Sequence, residues 1–174
     1  MKPFVFSTTK SIISEVGAIS RIAQLCLQHN ITKPLIVTDK GIIQNGLLSK
    51  LSSSFDKENL PYHCFDDVIA DPPESLVLAA VEFAKKHNIN CVIGFGGGSS
   101  MDTAKLVALL ANSDEQLVDI YGVDQIKGKR LPLILIPTTA GTGSEVTPIS
   151  IVTTGETTKA GVVSTELLPD VALL

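Results

Sequence analysis

Residues 91–105 read CVIGFGGGSSMDTAK, an apolar strand followed by three consecutive glycines and the start of a helix. Cys91, Val92, Ile93 and Phe95 supply the buried strand, and Gly96, Gly97 and Gly98 remove every Cβ where the chain turns. Ser99 is expected to open a helix carrying Ala104, Leu106, Val107, Leu109 and Leu110. Bare glycine amides approach a ligand closely and take positive φ without strain. The first N–H groups of the helix lack partners and carry partial positive charge, so loop and helix together suit a pyrophosphate.

Outward from this unit, short apolar runs alternate with helical spacing. An edge strand or hairpin is expected over 4–13. A helix follows over 18–28, with Ile19, Ile22, Ala23 and Cys26 on one face. Leu35-Ile36-Val37 reads as a buried strand, 41–55 as a helix and 62–65 as a strand. Asp71-Pro72-Pro73-Glu74 then breaks the chain, and Leu76, Ala79, Ala80 and Phe83 make a helical stripe ending near Lys85-Lys86-His87. Further strands are expected over 131–136 and, as a sixth, over 145–152. Near-continuous apolar strands alternating with helices predict an α/β, Rossmann-like fold, a mostly parallel sheet with helices on both faces. Ligands of such sheets sit at the carboxyl ends of the strands.

Polar loops gather at those ends. Val37-Thr38-Asp39 closes one strand, Gly96 to Ser99 another, and PTTAGTGSEVT from Pro137 to Thr147 a third. An acid at a strand end accepts hydrogen bonds from adenosine ribose hydroxyls. Asp39 fits that role, and its charge would repel the extra phosphate of NADP, so NAD is the expected cofactor. The acid precedes the glycine loop here and GxGxxG is absent, which marks a topology distinct from the usual dinucleotide fold. A structural reading competes at each position. Asp39 could simply cap the next helix, Ser99 and Asp102 form an S-x-x-D capping pattern, and Lys159 reads from spacing alone as a solvated surface lysine. The threonine loop is harder to reduce to a turn, because four threonine hydroxyls and two glycines exceed what a turn needs.

With 44% hydrophobic and 18% charged residues, the 174-residue chain suits one folded domain. A net charge of −4 with scattered Lys and Arg excludes a basic field for nucleic acid. No signal-like core is present and the longest apolar run, 106–111, cannot span a bilayer, so a cytoplasmic location without membrane contact is expected. Cys26, Cys64 and Cys91 read as reduced interior thiols. His29, His63 and His87 make no metal-ligand spacing, and no Ser-His-Asp or Cys-His constellation is visible.

GGGSSMDTAK followed by PTTAGTGSEVT resembles the iron-containing (group III) alcohol dehydrogenase family, and the likeness extends through LPDVALL. The resemblance implies that Asp39 binds the adenosine ribose and that Gly96, Gly97, Gly98 and Ser99 hold the pyrophosphate. It places Asp102 near the nicotinamide, lines the cleft with Thr138, Thr139, Thr142 and Thr147, and brings Lys159 to a ribose. Asp71 falls where the family often has Asn over the adenine side, in a turn that here reads ADPP. Family members polarise an alcohol or aldehyde oxygen on Fe²⁺, sometimes Zn²⁺, and exchange hydride with a nicotinamide cofactor. The metal's Asp and three His lie on a helical domain following LPDVALL. Residues 1–174 are therefore expected to be the dinucleotide-binding domain alone, inactive in isolation and part of a homo-oligomer. Its docking face would be apolar surface around 146–152 and 171–174. The parent would oxidise a primary alcohol or diol, or reduce the aldehyde. A non-catalytic nucleotide-binding module, or a parent with maleylacetate reductase or hydroxyacid–oxoacid transhydrogenase activity, are the alternatives.

Overall fold

The strand at Cys91–Gly96 is buried along its whole length because helices cover both of its faces. The computed structural model describes residues 4–174. Its elements begin with β1 (Ser11–Ile13), α1 (Ile22–Gln28), β2 (Pro34–Asp39), α2 (Lys40–Gln44), α3 (Leu47–Lys57) and β3 (His63–Val68). They continue with α4 (Glu74–Lys86), β4 (Cys91–Gly96), α5 (Gly98–Leu110), β5 (Gly122–Val123) and β6 (Leu133–Pro137). The last three are β7 (Ile149–Thr154), β8 (Thr158–Val163) and β9 (Val171–Leu173).

Six strands form one sheet in the order β1-β9-β6-β4-β2-β3, and every pairing in it is parallel. Alternation along the strands divides the core in two. Leu35, Val37, Val92, Leu133 and Leu135 face α4 and α5, whereas Ile36, Ile93, Phe95, Ile134 and Ile136 face α1 and α3. The fold is thus the α/β, Rossmann-like arrangement that the strand–helix alternation predicts.

Helix α5 is buried on nearly every side between the sheet and its cover, which explains its all-round apolar sequence. It crosses β4 at Gly94, where a Cβ would lie 2.7 Å from Leu135 Cδ2 and 2.8 Å from Ala104 Cβ. Part of the cover is a second sheet in the order β5-β8-β7. In it β7 and β8 form an antiparallel hairpin from Ile149↔Val163 to Thr154↔Thr158.

Several local expectations are corrected. Of the edge strand expected over 4–13 only Ser11–Ile13 forms, while Phe4, Val5 and Phe6 stand exposed. The helix over 41–55 is two helices, split at Asn45-Gly46, where Gly46 takes φ 69°. The strand expected over 145–152 starts at Ile149 and belongs to the second sheet, because residues 144–146 coil into a 3-10 turn first. Helix α5 starts at Gly98 with Gly97 as its cap, so Ser99 lies inside it. Of the expected docking face, Ile149, Ile151 and Leu174 are exposed, but Val152 and 171–173 are buried within the sheets.

At the opposite end of the sheet Arg130 ties β6 to β9. Its guanidinium donates to the carbonyls of Leu131, Glu166 and Leu168 and to Asp170 Oδ2 at 2.6 Å. Burial would raise the Asp170 carboxyl, but hydrogen bonds from Arg130, Lys10 and the Leu133 amide hold it down at about 2. A carboxyl lowered on folding stabilises above its unfolded pKa of 3.8 and loses that contribution as pH falls towards 2. Urea midpoints measured from about pH 5 down to about pH 2 should therefore fall more steeply for wild type than for Asp170→Asn. Parallel curves would remove Asp170 from the account.

Candidate functional site

The carboxyl ends of β2, β4 and β6 lie side by side at one edge of the sheet. From β2 the chain runs outward to β3, and from β4 it runs the other way, through α5 to β6 and then β9. The direction reverses between β2 and β4, where a doubly wound sheet opens its ligand crevice.

Asp39 ends β2 and uses both carboxylate oxygens. Oδ1 accepts from the Ile42 amide at 3.1 Å, capping α2, and Oδ2 accepts from Ser100 Oγ at 3.3 Å. The capping alternative is realised, and the second oxygen also reaches the glycine-loop helix. Gly96 ends β4 with φ 148°, and a Cβ there would lie 2.7 Å from Ser100 Oγ and 3.2 Å from Asp39 Oδ2. Only glycine fits that position. Gly97 caps α5 and no side chain closes the cap, so the first amides of the helix stay available to a ligand. A Cβ on Gly97 would meet nothing nearer than Thr139 Oγ1 at 3.8 Å, and one on Gly98 would meet Thr142 Cγ2 at 3.2 Å. The glycine and threonine loops therefore face each other across a narrow gap.

Two cavities open on either side of this gap and share Gly98 and Ser99. One, of about 480 Å³, reaches from Gly97 to Asp39, Lys40 and Asp67. The other, of about 490 Å³, reaches to Asp71, Asp102, Thr142, Thr147 and Lys159. Each falls in the range of about 300–1,000 Å³ usual for small-ligand sites. The structure thus gathers Asp39, Asp71, Gly97, Gly98, Ser99, Asp102, Thr142, Thr147 and Lys159 along one cleft. Gly96, Thr138 and Thr139 border it without lining either cavity. The Thr138 amide donates to the Gly96 carbonyl at 3.0 Å, continuing the β4–β6 ladder.

Asp71 sits with Lys159 and pairs with it, at the far end from Asp39. The Ser99–Asp102 capping pattern does not form. The Asp102 carboxylate leaves its own helix start to accept from Ser144 Oγ at 2.6 Å and from the Ile151 amide at 3.1 Å.

A larger cavity of about 1080 Å³ lies at the other end of the sheet, beside Lys10, Arg130 and Asp170. Lys10 and Arg130 both pair with Asp170 there, and Lys129 pairs with Glu166, so these charges are already matched within the protein.

The profile of the iron-containing alcohol dehydrogenases matches residues 9–174. The chain belongs to the iron-containing alcohol dehydrogenase family. It is 43% identical over 143 residues to long-chain-alcohol dehydrogenase 1 of Geobacillus thermodenitrificans, covering 80% of this chain and 36% of that protein. The NADH-dependent butanol dehydrogenase A of Thermotoga maritima superposes with TM-score 0.90 at 32% identity, over 99% of this chain and 44% of the other. Sulfoacetaldehyde reductase from Bifidobacterium kashiwanohense, solved in complex with NAD⁺, gives TM-score 0.89 at 30% identity, over 99% and 46%. The chain spans less than half the length of these relatives.

The residues present fit the dinucleotide of this family better than its metal. The open side of Gly97 is a cradle that a side chain would fill. By contrast, among the described residues no three His, Cys, Asp or Glu side chains converge to hold a metal ion. No helix among the described residues is long and apolar enough to cross a membrane. The three cysteines are free, and burial pushes the Cys26 thiol up to about 12 and Cys64 to about 11.

Sequence reasoning missed Ser100, Ser144 and Lys105. Ser100 bridges the helix to Asp39, Ser144 holds Asp102, and Lys105 is completely buried. A lysine amid ALA-like and leucine residues of a core helix was the available signal for the last; the two serines had none beyond their place in the loops.

Proposed function

We propose that the chain is the nicotinamide-dinucleotide-binding domain of an iron-type alcohol dehydrogenase and prefers NAD. The pair of cavities meeting at Gly98 and Ser99 carries this reading. Such a cleft suits two nucleoside halves joined by a pyrophosphate over the start of α5. Gly97, Gly98 and Ser99 would hold the pyrophosphate, and Asp39 would accept from the adenosine ribose. Asp102, Thr142, Thr147 and Lys159 would border the nicotinamide half, with Thr138 and Thr139 across the loop. When bound, the cofactor accepts or returns a hydride. The contribution of this chain is to fix both nucleotide halves and exclude bulk water between the two loops.

For the whole protein we propose interconversion of a primary alcohol or diol with its carbonyl compound, with Fe²⁺ or Zn²⁺ held outside the described residues. The long-chain-alcohol and butanol dehydrogenases among the relatives support that substrate class. Exposed Phe4, Val5 and Phe6, with Ile149 and Ile151, favour the homo-oligomer or a further docked domain.

Calorimetric titration with NAD⁺ and NADP⁺ tests the cofactor assignment. Wild type should prefer NAD⁺. Asp39→Gly should lose about tenfold in NAD⁺ affinity, the worth of a hydrogen bond to a charged group, and narrow the preference. Glycine retains most of the cap, so the fold should lose only a few tenths of a kcal/mol. Equal wild-type affinities for the two nucleotides would defeat the Asp39 role.

A further inference from the structure

Lys40 stands directly after Asp39 and opens α2. A cation is unfavourable at the positive end of a helix, so α2 itself gives no reason for this lysine. Its ammonium pairs with Asp67 Oδ1 at 2.8 Å. Asp67 reaches it through an irregularity in the sheet. Between Val37↔Phe65 and Asp39↔Val68, β2 advances two residues while β3 advances three. Strict alternation would put Phe65 and Val68 on opposite faces, yet both pack in the core under α4 and α5. The extra residue of this bulge re-aims the side chains between them and leaves Asp67 exposed beside Lys40. The pair lines the same cavity as Asp39, Gly97 and Ser99. Among the described residues lining it, Lys40 is the one cation, and Asp39 and Asp67 are the two acids. With side chains 65% and 61% exposed, the pair adds little to the stability of the fold. An ion pair that the fold can do without, set beside the residue assigned to the ribose, points to a role in what binds there.

We propose that Asp67 is a second determinant of dinucleotide choice: it holds Lys40 and so denies the adenosine half of the cleft the cation that the 2′-phosphate of NADP needs. This rests on reading the cleft as a dinucleotide site, with the ribose at Asp39. A 2′-phosphate carries a charge of about −1.5 to −2 at pH 7, and it enters a cavity where two carboxylates outnumber one ammonium. Asp39 acts on it by direct repulsion. Asp67 acts through Lys40. The hydrogen bond and charge of Asp67, together with the charge of Asp66, raise the Lys40 pKa above 10.5, so the ammonium is charged but already committed. Removing Asp67 frees a lysine next to the ribose, where it makes a charge-assisted hydrogen bond to a phosphate oxygen. NAD, with a neutral 2′-hydroxyl, offers the freed ammonium no such partner.

The test is calorimetric titration of wild type, Asp67→Asn and the double variant Asp67→Asn with Lys40→Gln, each with NAD⁺ and NADP⁺. Asp67→Asn should raise the ratio of NADP⁺ to NAD⁺ affinity about tenfold, the worth of one hydrogen bond between charged groups. Adding Lys40→Gln should return the ratio close to its wild-type value. The same changes made on Asp39→Gly should show the same rise and the same return, and they read it where NADP⁺ binding to wild type is too weak to titrate. A ratio unmoved by Asp67→Asn would overturn the proposal. So would a rise that persists without Lys40, since Asp67 would then act by its own charge alone. NAD⁺ binding with an unmoved ratio leaves the cleft reading standing and removes only Asp67. If neither nucleotide binds to wild type or to any variant, the cleft reading itself fails.

Discussion

Replacing Gly97 with valine should weaken NAD⁺ binding by at least about 100-fold and leave the melting temperature almost unchanged. Gly97 has φ −80° and ψ −171°, extended backbone that any residue adopts. A Cβ there would touch no protein atom closer than 3.8 Å. The fold therefore has room for the side chain, and only the space assigned to the pyrophosphate is taken. Hydrogen bonds from backbone amides to an anion are each worth about 1.5–3 kcal/mol, so losing two accounts for the expected change. Gly97→Ala, with one methyl, should fall between. Calorimetry paired with a thermal melt checks both halves of this expectation. NAD⁺ binding unchanged in the valine variant would mean that the ligand does not approach this loop.

Gly94→Val should do the reverse, destabilising the protein by about 3 kcal/mol through overpacking. The missing Cβ of Gly94 is hemmed in by Leu135 Cδ2 at 2.7 Å, Ala104 Cβ at 2.8 Å and the Met101 backbone at 3.2 Å. None of these is the loose end of an exposed side chain. A valine must push α5 off β4, and that helix carries the whole glycine-loop site. Urea unfolding measures the loss, and a midpoint close to wild type would contradict the packing described for α5. The two glycines stand three residues apart in one strand–loop unit. One makes room for a helix, and the other leaves open space beside the loop.

The sequence displays the main sheet well because its strands are apolar on both faces. Leu35-Ile36-Val37 and Cys91 to Phe95 leave little choice but a covered parallel sheet. The second sheet is much less legible. Strands β7 and β8 are rich in threonine and half exposed, and their alternation follows a turn at 144–148 that the hydroxyl-rich loop conceals. Asp39 and the glycine loop stand out because strand ends and glycine runs have local chemistry. Asp102 looks like a cap in the sequence because its partners, Ser144 and Ile151, are 42 and 49 residues away. Lys105 was invisible as a tie for the same reason: the carbonyls of Thr147 and Ile149 leave no trace in residue type.

The grip of the first α5 amides on a diphosphate bridge is tested most directly by an amide-resolved NMR titration with NAD⁺. Saturable shifts should be largest at Gly97, Gly98, Ser99 and Ser100, with smaller ones at Ile42 and in the threonine loop, and they should vanish in the valine variant of residue 97. Saturation that leaves those four amides unmoved while others shift would place the nucleotide elsewhere and contradict the assignment.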